Sequence, residues 1–232
     1  MRSASLYNAV MNPAAEAFPH PPPAAQADIA TLVGLDADFA TIQQRAGPLP
    51  WRRRSAGFPG LLQAIVAQLI SNQAAAAIWG RLHRLPGARD PMQFLALADE
   101  DLRGAGLSRP KILHARALAS AFVSGALNAD RLAAMDDDDA IQAIAAVRGM
   151  GPWSAEIYLV FALERPDVFP AGDIALAAAL ADLKHLPSRP KQADLRMMAQ
   201  AWRPVRSVAA RLLWHHWRHV TGRPALDDFR IV

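Results

Sequence analysis

Two glycines one residue apart separate two helical patterns near the middle of the chain. The stretch reads VRGMGPWSAE over residues 147–156. Glycine allows a very tight turn, and Pro152 suits the first turn of the helix that follows. Because the first amides of a helix lack partners and lie at its positive end, such a turn could hold a phosphate without reading a base sequence. An ordinary connection between two helices fits the same residues, so the spacing alone leaves both interpretations open.

One carboxylate stands at the start of a predicted helix. Asp173 follows the stretch FPAG and precedes an apolar helical pattern from Ile174 to Leu183. Aspartate is a favoured N-cap, so the local sequence by itself predicts the start of a helix. A fixed carboxylate in a water-poor pocket can also stabilise positive charge that develops on carbon. One residue can serve both purposes.

The residue pattern gives little support for a metal site or for a reactive thiol. The absence of cysteine excludes disulfides, thiolate zinc sites and cysteine-ligated iron–sulfur clusters. The seven histidines show no HExxH-like spacing. Four consecutive acids at 136–139 precede a helical pattern, and we interpret them as a helix cap because their side chains do not converge on one ion. We expect that no metal is required.

The elements that must position these residues are helical. From Asp28 onward, apolar residues recur at three- and four-residue spacing, with proline or glycine at the joints. This spacing predicts helices over residues 58–82, with a break near Ser71, and over 91–97, 99–105, 110–124, 140–147 and 174–183. No alternating β pattern is present, so the predicted fold class is all-α. Residues 1–27 are rich in alanine and proline and predict a flexible tail.

Composition and charge limit the classes of protein. The chain has 232 residues, 52% of them hydrophobic and 20% charged, which is typical of a globular domain. No apolar run approaches the roughly 20 residues of a membrane helix, and no secretory signal is evident. We expect a cytoplasmic monomer, nucleoid-associated if bacterial, without a membrane partner. Residues 183–232 carry ten Lys/Arg and three acids, which favours a polyanion partner, although solvated helix faces give the same pattern.

Four stretches together resemble the helix-hairpin-helix DNA glycosylase superfamily and, more narrowly, the DNA-3-methyladenine glycosylase II family. In chain order they are AIVAQLIS (64–71), the stretch over 147–156, FPAGD (169–173), and WRPVRS (202–207) followed by Leu213 and Trp214. The resemblance extends from about Phe58 to Trp214. It implies two helical lobes with a cleft between them. The middle lobe would span about residues 75–172 and carry the hairpin, and the other would combine residues 28–74 with 173–232.

The resemblance implies an enzyme of base excision repair whose partner is double-stranded DNA. Such an enzyme flips an alkylated purine, of the 3-methyladenine or 7-methylguanine type, out of the duplex and hydrolyses its N-glycosidic bond. Asp173 takes the position of the catalytic carboxylate. Relatives that also cut the strand carry a nucleophilic lysine where this chain has Trp153, so the resemblance implies no lyase activity. No cofactor is implied, and a monovalent cation between hairpin carbonyls and a phosphate is compatible with it.

The resemblance assigns the base pocket to Trp153, Trp214 and Tyr158. Indole faces suit a cationic base through stacking and cation–π attraction, roughly 0.5–2 kcal/mol each. Both tryptophans also fit core packing. The usual pocket tyrosine of the family falls one residue before Tyr158, where this chain has Ile157. This departure leaves the damage spectrum open.

The predicted DNA contacts fall into three groups. The hairpin group consists of Gly149, Met150, Gly151 and Ser154. The wedge loop, expected to fill the gap left by a flipped nucleotide, consists of Gln68, Leu69, Ile70 and Ser71. Either Leu69 or Ile70 would be the wedge, and burial of both on their helix is the alternative. The candidate phosphate contacts are Ser108, Lys111, Arg203 and Arg206, and a structural ion pair explains Arg206 equally well.

Three other functions remain open. A non-catalytic helix-hairpin-helix protein would bind DNA without turnover, and Asp173 together with Trp153 and Trp214 argues against it. A glycosylase for another lesion, such as uracil, a mismatched thymine or an oxidised purine, would share the fold. A helical protein-interaction module would leave the Gly-x-Gly-Pro-Trp turn unexplained.

Overall fold

The described residues form helices and no β-strand, which confirms the all-α prediction. The computed structural model describes residues 20–222, and residues 1–19 and 223–232 lie outside that range. The helices before the hairpin are α1 (Pro23–Leu35), α2 (Asp38–Ala46), α3 (Phe58–Ala67), α4 (Asn72–His83), α5 (Pro91–Ala96), α6 (Asp99–Gly104), α7 (Arg109–Val123), α8 (Ala129–Ala134) and α9 (Asp137–Ala145). Those after it are α10 (Pro152–Phe161), α11 (Ile174–Leu183), α12 (Gln192–Met198), a 3-10 turn (Ala199–Trp202) and α13 (Arg206–Thr221).

Side-chain caps and prolines explain where many of these helices begin. Five of the described helices start after a polar side chain that accepts a first-turn amide, and these caps are Ser71, Asp90, Asn128, Asp136 and Asp173. Such caps satisfy amides that have no partner inside the helix. The acidic run at 136–139 is therefore a helix cap, as predicted. The break expected near Ser71 is also confirmed, since α3 ends at Ala67 and α4 begins at Asn72.

The buried apolar side chains form two clusters, one in each lobe. The hairpin lobe consists of α3 to α10, and its core extends from Phe58 to Val168. The terminal lobe consists of α1, α2 and α11 to α13, and its core joins residues 25–51 to residues 169–213. The Trp214 side chain packs against both clusters. The chain crosses between the lobes twice, near residues 57 and 168, and the cleft lies where the two cores meet.

The predicted boundary between the lobes at residue 74 is wrong, because α3 belongs to the hairpin lobe. Its buried side chains face almost every direction around the helix. A helix that is apolar all round must be enclosed on several sides. It packs between α7 and α10, both elements of the hairpin lobe.

The prediction of a flexible tail is wrong for residues 23–27, and residues 1–19 of that stretch lie outside the described residues. Pro22 is the N-cap of α1 and Pro23 its first residue, so residues 23–27 are helical. Proline suits this position because its missing amide hydrogen and fixed φ fit the first helical turn. Ala25, Ile29 and Leu32 then bury one side of α1 in the terminal lobe.

Hydrogen bonds connect the lobes at both crossings. The backbone amide of Arg54 donates to Phe161 O at 2.8 Å. At the second crossing, Ser207 Oγ accepts from Val168 N and donates to Val168 O, each at 2.9 Å. These contacts fix the two walls of the cleft relative to each other.

Within residues 20–222, no helix combines the length and the hydrophobicity needed to span a lipid bilayer.

Candidate active site

A cavity of about 290 Å³ lies in the cleft between the lobes. Small-molecule sites have volumes of roughly 300–1,000 Å³, so this cavity suits a ligand of one ring system. Its hairpin-lobe wall includes Trp153, Ile157 and Phe161. These residues are four apart on α10 and therefore lie on one face of the helix. The terminal lobe contributes Asp173 at the start of α11 and part of α13.

Both carboxylate oxygens of Asp173 accept hydrogen bonds. Oδ1 accepts from Ala175 N at 2.8 Å and Leu176 N at 3.1 Å, which caps α11. Oδ2 accepts from the Trp153 indole nitrogen at 2.9 Å. The positive end of α11 favours an anion at this position. Asp173 is half-buried, and its carboxylate is fixed in direction as part of the cavity wall.

Aromatic rings form much of the remaining wall. Trp214 lines the cavity, with its ring centroid 5.4 Å from that of Phe161 at an interplanar angle of 34°. Trp217, three residues after Trp214 on α13, also lines the cavity and was not predicted. Residues three positions apart lie on the same side of a helix, so the spacing from Trp214 could have identified Trp217.

The prediction that Tyr158 lines a base pocket is wrong. Its side chain is 2% exposed, lies in the core of the hairpin lobe and accepts a hydrogen bond from Gly57 N at 2.8 Å. Consecutive residues of an α-helix point about 100° apart, so Tyr158 faces away from the side that carries Trp153. Ile157 takes the place on the cavity wall.

Four arginines also line the cavity, and they were not predicted. They are Arg52, Arg54, Arg211 and Arg218. The Arg211 guanidinium is buried and lies 4.0 Å from the Trp51 ring centroid and 4.5 Å from that of Phe161. It donates to Arg52 O at 2.6 Å and to Val160 O at 2.7 Å. Cation–π contacts and carbonyl acceptors stabilise this buried charge, which helps to hold the connecting segment against α10.

The hairpin has the tight turn that the two glycines predict, although they play different roles. Gly149 has a φ of +87°, and a Cβ added to it would lie 2.1 Å from His114 Cγ on α7. Gly151 has an extended φ of −125° and is the N-cap of α10 without a capping side chain. Only the first position therefore requires glycine for its backbone. Met150 and Ser154 are buried, so any DNA contact of these two residues would be made by the backbone.

The wedge loop places Leu69 and Ile70 outside the core. Leu69 is fully exposed (103%) and has a φ of +58°, whereas Ile70 is 37% exposed. A left-handed conformation costs a non-glycine residue about 1–2 kcal/mol. Because both side chains are exposed to solvent, the alternative that both residues are buried is wrong. Gln68 Nε2 donates to Gly149 O at 3.0 Å and to Ser154 Oγ at 3.3 Å, and Ser71 Oγ caps α4 by accepting from Ala74 N.

Two of the candidate phosphate contacts lie on α7. Lys111 Nζ donates to Val66 O at 2.6 Å near the end of α3, and burial lowers the pKa of its ammonium group. Ser108 is exposed at the N-cap position of α7 and makes no capping hydrogen bond through its side chain. DNA contacts of both residues stay predictions.

The prediction that Arg206 contacts DNA is wrong, and its alternative is correct. Its guanidinium forms a bidentate pair with Asp167, with Nε to Oδ1 at 2.7 Å and Nη2 to Oδ2 at 3.0 Å, and it also donates to Asp167 O. Its side chain is 13% exposed. Arg203 Nε lies 3.3 Å from Asp167 Oδ2 but is largely exposed, so a phosphate contact of Arg203 stays a prediction.

Glu156 is a titratable residue that was not predicted. Burial raises the pKa of its carboxyl group to about 7, Arg196 opposes this rise, and the Asp173 carboxylate adds to it. The residue lies one turn after Trp153 on α10, in a second, more polar groove between the lobes. Its sequence context, a lone glutamate in an apolar helix, was the available signal.

No cluster of three or more His, Asp or Glu side chains suited to a metal occurs among residues 20–222.

The comparison with known proteins decides the family. A family model described as "HhH-GPD superfamily base excision DNA repair protein" matches residues 62–207. A solved DNA-3-methyladenine glycosidase of Bacillus halodurans is 30% identical, with a TM-score of 0.71 over 86% of this chain and 93% of that one. This chain belongs to the HhH-GPD superfamily, in its DNA-3-methyladenine glycosylase family. The HhH-GPD match includes the wedge loop, the hairpin and Asp173.

Two further matches of this HhH-GPD protein, one by sequence and one by structure, come from fission yeast. DNA-3-methyladenine glycosylase 1 of Schizosaccharomyces pombe is 27% identical over 193 residues, covering 79% of this chain and 83% of the relative. The S. pombe Mag1 enzyme solved with abasic DNA has a TM-score of 0.74 at 25% identity, over 82% of this chain and 95% of that one.

The raised pKa of Glu156 predicts a pH-dependent change in stability. An unfolded glutamate has its ordinary pKa of 4.5, whereas the folded one ionises near 7, so the folded state loses relative stability as the pH rises between these values. The Glu156→Gln variant lacks this ionisation. The difference in free energy of unfolding between variant and wild type should therefore grow by up to about 3 kcal/mol in favour of the variant between pH 4.5 and pH 8. Urea denaturation of both proteins across this range measures it, and a constant difference would contradict the assignment.

Proposed function

We propose that this chain is a monofunctional DNA glycosylase that hydrolyses the N-glycosidic bond of alkylated purines, such as 3-methyladenine and 7-methylguanine, in double-stranded DNA. The observation that carries the proposal is the Asp173 carboxylate, held by Trp153 and α11 in the wall of a cavity sized for one base. The names of the S. pombe and B. halodurans relatives support the substrate class. The complex of Mag1 with abasic DNA supports a DNA substrate.

Asp173 would act on the sugar rather than on the base. When the bond between C1′ and the base breaks, its electron pair leaves with the base and C1′ becomes positively charged. A fixed carboxylate stabilises that charge without reorganisation during the reaction. Each carboxylate oxygen has two lone pairs, so Asp173 can also orient the water that attacks C1′ while it holds its present partners. The water oxygen forms the new bond to C1′, and its proton passes to Asp173 or to solvent.

The damaged base would be bound by the aromatic wall. Trp153 lines the cavity from the hairpin side and Trp214 from the terminal side. Purines methylated at N3 or N7 are cationic, so they gain from cation–π contact and also leave without a strong general acid. Ile157 adds an apolar surface to the same wall.

Hydrolysis without strand cleavage follows from the nucleophile that the site offers. A lyase needs an amine that attacks C1′ and forms a Schiff base. Trp153 stands at the position where lyases of the superfamily carry that lysine, and no lysine is among the described residues lining the cavity. The lining residues thus support water as the attacking group, which would leave an unbroken strand with an abasic site.

Leu69 would be the wedge that replaces the flipped nucleotide. Flipping costs a few kcal/mol, and an inserted apolar side chain offsets part of that cost. Leu69 is the more exposed of the two candidates, and its unfavourable backbone conformation directs the side chain outward from the end of α3. Ile70 would support the neighbouring base step.

The hairpin would bind a phosphate of the same DNA through its backbone. The first amides of α10 have no capping side chain and lie at the positive end of the helix. A monovalent cation fits the turn because a carbonyl with one hydrogen bond, such as Val147 O or Gly149 O, keeps a second lone pair. No other cofactor is proposed, and one copy of the chain supplies the whole site.

The Asp173→Asn variant tests the proposal. Asparagine is also a good N-cap, so α11 should stay folded while the negative charge is lost. We expect wild-type protein to release 3-methyladenine and 7-methylguanine from methylated duplex DNA, and the variant to be slower by about 10²–10³-fold in single-turnover release.

The matched control is Asp136→Asn, which makes the same change at the N-cap of α9. It should release bases at the wild-type rate. If wild-type protein releases neither base, the substrate assignment fails. If Asp173→Asn is as fast as wild type, the role of Asp173 is wrong.

The Leu69→Gly variant separates the wedge from the fold. Glycine adopts a positive φ without strain, so the free energy of unfolding should be unchanged or higher, while base release should fall by about tenfold or more because flipping loses its support. Ile70→Gly, one residue later, should reduce release less. Equal effects of the two variants, measured by chemical denaturation and single-turnover release, would refute Leu69 as the wedge.

A further inference from the structure

The Gln68 side chain joins two DNA-binding elements that are far apart in sequence. Its Nε2 atom donates to Gly149 O in the hairpin turn at 3.0 Å and to Ser154 Oγ in the first turn of α10 at 3.3 Å. The two acceptors are 81 and 86 residues away along the chain. The amide donor therefore points into the protein, toward the hairpin, and not toward a DNA groove.

Gln68 is also the residue from which the wedge is presented. It is the C-cap of α3, with a ψ of +131° that turns the chain out of the helix, and Leu69 follows with a φ of +58°. A left-handed leucine persists only where the surrounding structure holds it. In this turn the backbone amide of Gln68 makes a long contact of 3.3 Å to Ile65 O. The side-chain hydrogen bonds of Gln68 therefore fix this end of α3 to the hairpin.

Helix α7 lies beneath both elements and supports the same arrangement. Lys111 Nζ donates to Val66 O, two residues before Gln68. One turn later on α7, His114 packs directly against Gly149, where even a methyl group would not fit. The end of α3 and the hairpin turn thus both contact α7, and the Gln68 side chain connects them directly.

We propose that Gln68 is a positioning residue that couples phosphate binding at the hairpin to insertion of Leu69. With Gln68 in place, the two elements form one rigid unit, so a hairpin seated on the DNA backbone brings the wedge to a fixed depth and register. Without the amide donor, the hairpin still holds a phosphate but the loop relaxes and the wedge is not presented. The inference rests on the proposed function, because it assumes that the hairpin and Leu69 act on the same duplex.

The test uses duplex DNA that contains a stable abasic-site analogue next to 2-aminopurine, whose fluorescence rises when its base stacking is broken. The full chain is compared with Gln68→Met, which keeps the volume but removes both polar groups, and with Gln68→Glu, which keeps the shape but replaces the amide donor by a negatively charged oxygen. Gln63→Met, five residues earlier on α3, is the matched control. Binding to an undamaged duplex and single-turnover base release are measured on the same proteins.

We expect both Gln68 variants to bind undamaged duplex within about twofold of wild type, because phosphate contacts supply that affinity. Their fluorescence rise at saturating protein should fall by about fivefold or more, and base release by about tenfold or more, since small misplacements cost large factors in rate. Gln63→Met should behave as wild type. If Gln68→Met does not fold, Gln68→Glu decides the question, because it keeps the size and shape of the side chain.

Two results would overturn the proposal. One is a full fluorescence rise in both Gln68 variants. The other is a loss of undamaged-duplex binding as large as the loss of fluorescence, which would mean that Gln68 only holds the hairpin fold. A wild-type protein that raises the fluorescence but releases no alkylated base would instead refute the proposed glycosylase function and leave the coupling intact, because the abasic analogue contains no base to release.

Discussion

The hydrogen bond from the Trp153 indole to Asp173 Oδ2 joins the hairpin lobe to the terminal lobe across the cleft. Trp153 lies in the first turn of α10, directly after the turn that the two glycines form, and Asp173 begins α11. The carboxylate is thus positioned by two helices from different lobes, each at its N-terminal end. A group held in this way needs little reorganisation when charge develops beside it. The aromatic wall and the arginines of the cavity surround this contact.

The hairpin lobe combines three tasks in two adjacent helices. Helix α3 ends in the wedge loop, and α10 begins at the hairpin and continues along the cavity wall. Because α3 packs against both α7 and α10, the elements that would grip the backbone, fill the duplex and bind the base share one core. Rigid elements hold a site more accurately than separate loops do. The terminal lobe completes the cavity with Asp173, Trp214 and the arginines of α13.

Much of this arrangement is predictable from the sequence because it depends on local chemistry. The Gly-x-Gly-Pro turn, the cap at Asp136 and the helix that starts after Asp173 each follow from backbone preferences of a few residues. The catalytic assignment of Asp173 needed the family resemblance, since its local sequence predicts a cap alone. The predictions that failed depend on tertiary packing. Tyr158 and Ile157 are neighbours on one helix. The residue types alone do not indicate which of the two faces the core and which faces the cavity.

The partners of long polar side chains were equally unpredictable from the sequence. Arg206 and Asp167 are 39 residues apart, and Gln68 meets Gly149 over 81 residues, so no local pattern announces either contact. The enclosure of α3 by the hairpin lobe could have been suspected from its lack of a polar face. The arginines at 52 and 54 reach the cavity only because the connecting segment crosses the cleft, which the sequence alone does not reveal.

The most direct test of a hydrolytic glycosylase is a product analysis on duplex DNA that carries a single 7-methylguanine. Base release and strand integrity are followed in the same single-turnover reaction, before and after treatment with hot alkali, and borohydride is added in a parallel sample to trap any Schiff base. We predict free 7-methylguanine, a strand that breaks only after alkali, and no trapped protein–DNA adduct. Strand breakage without alkali together with a trapped adduct, or the absence of base release, would contradict a hydrolytic mechanism assisted by Asp173.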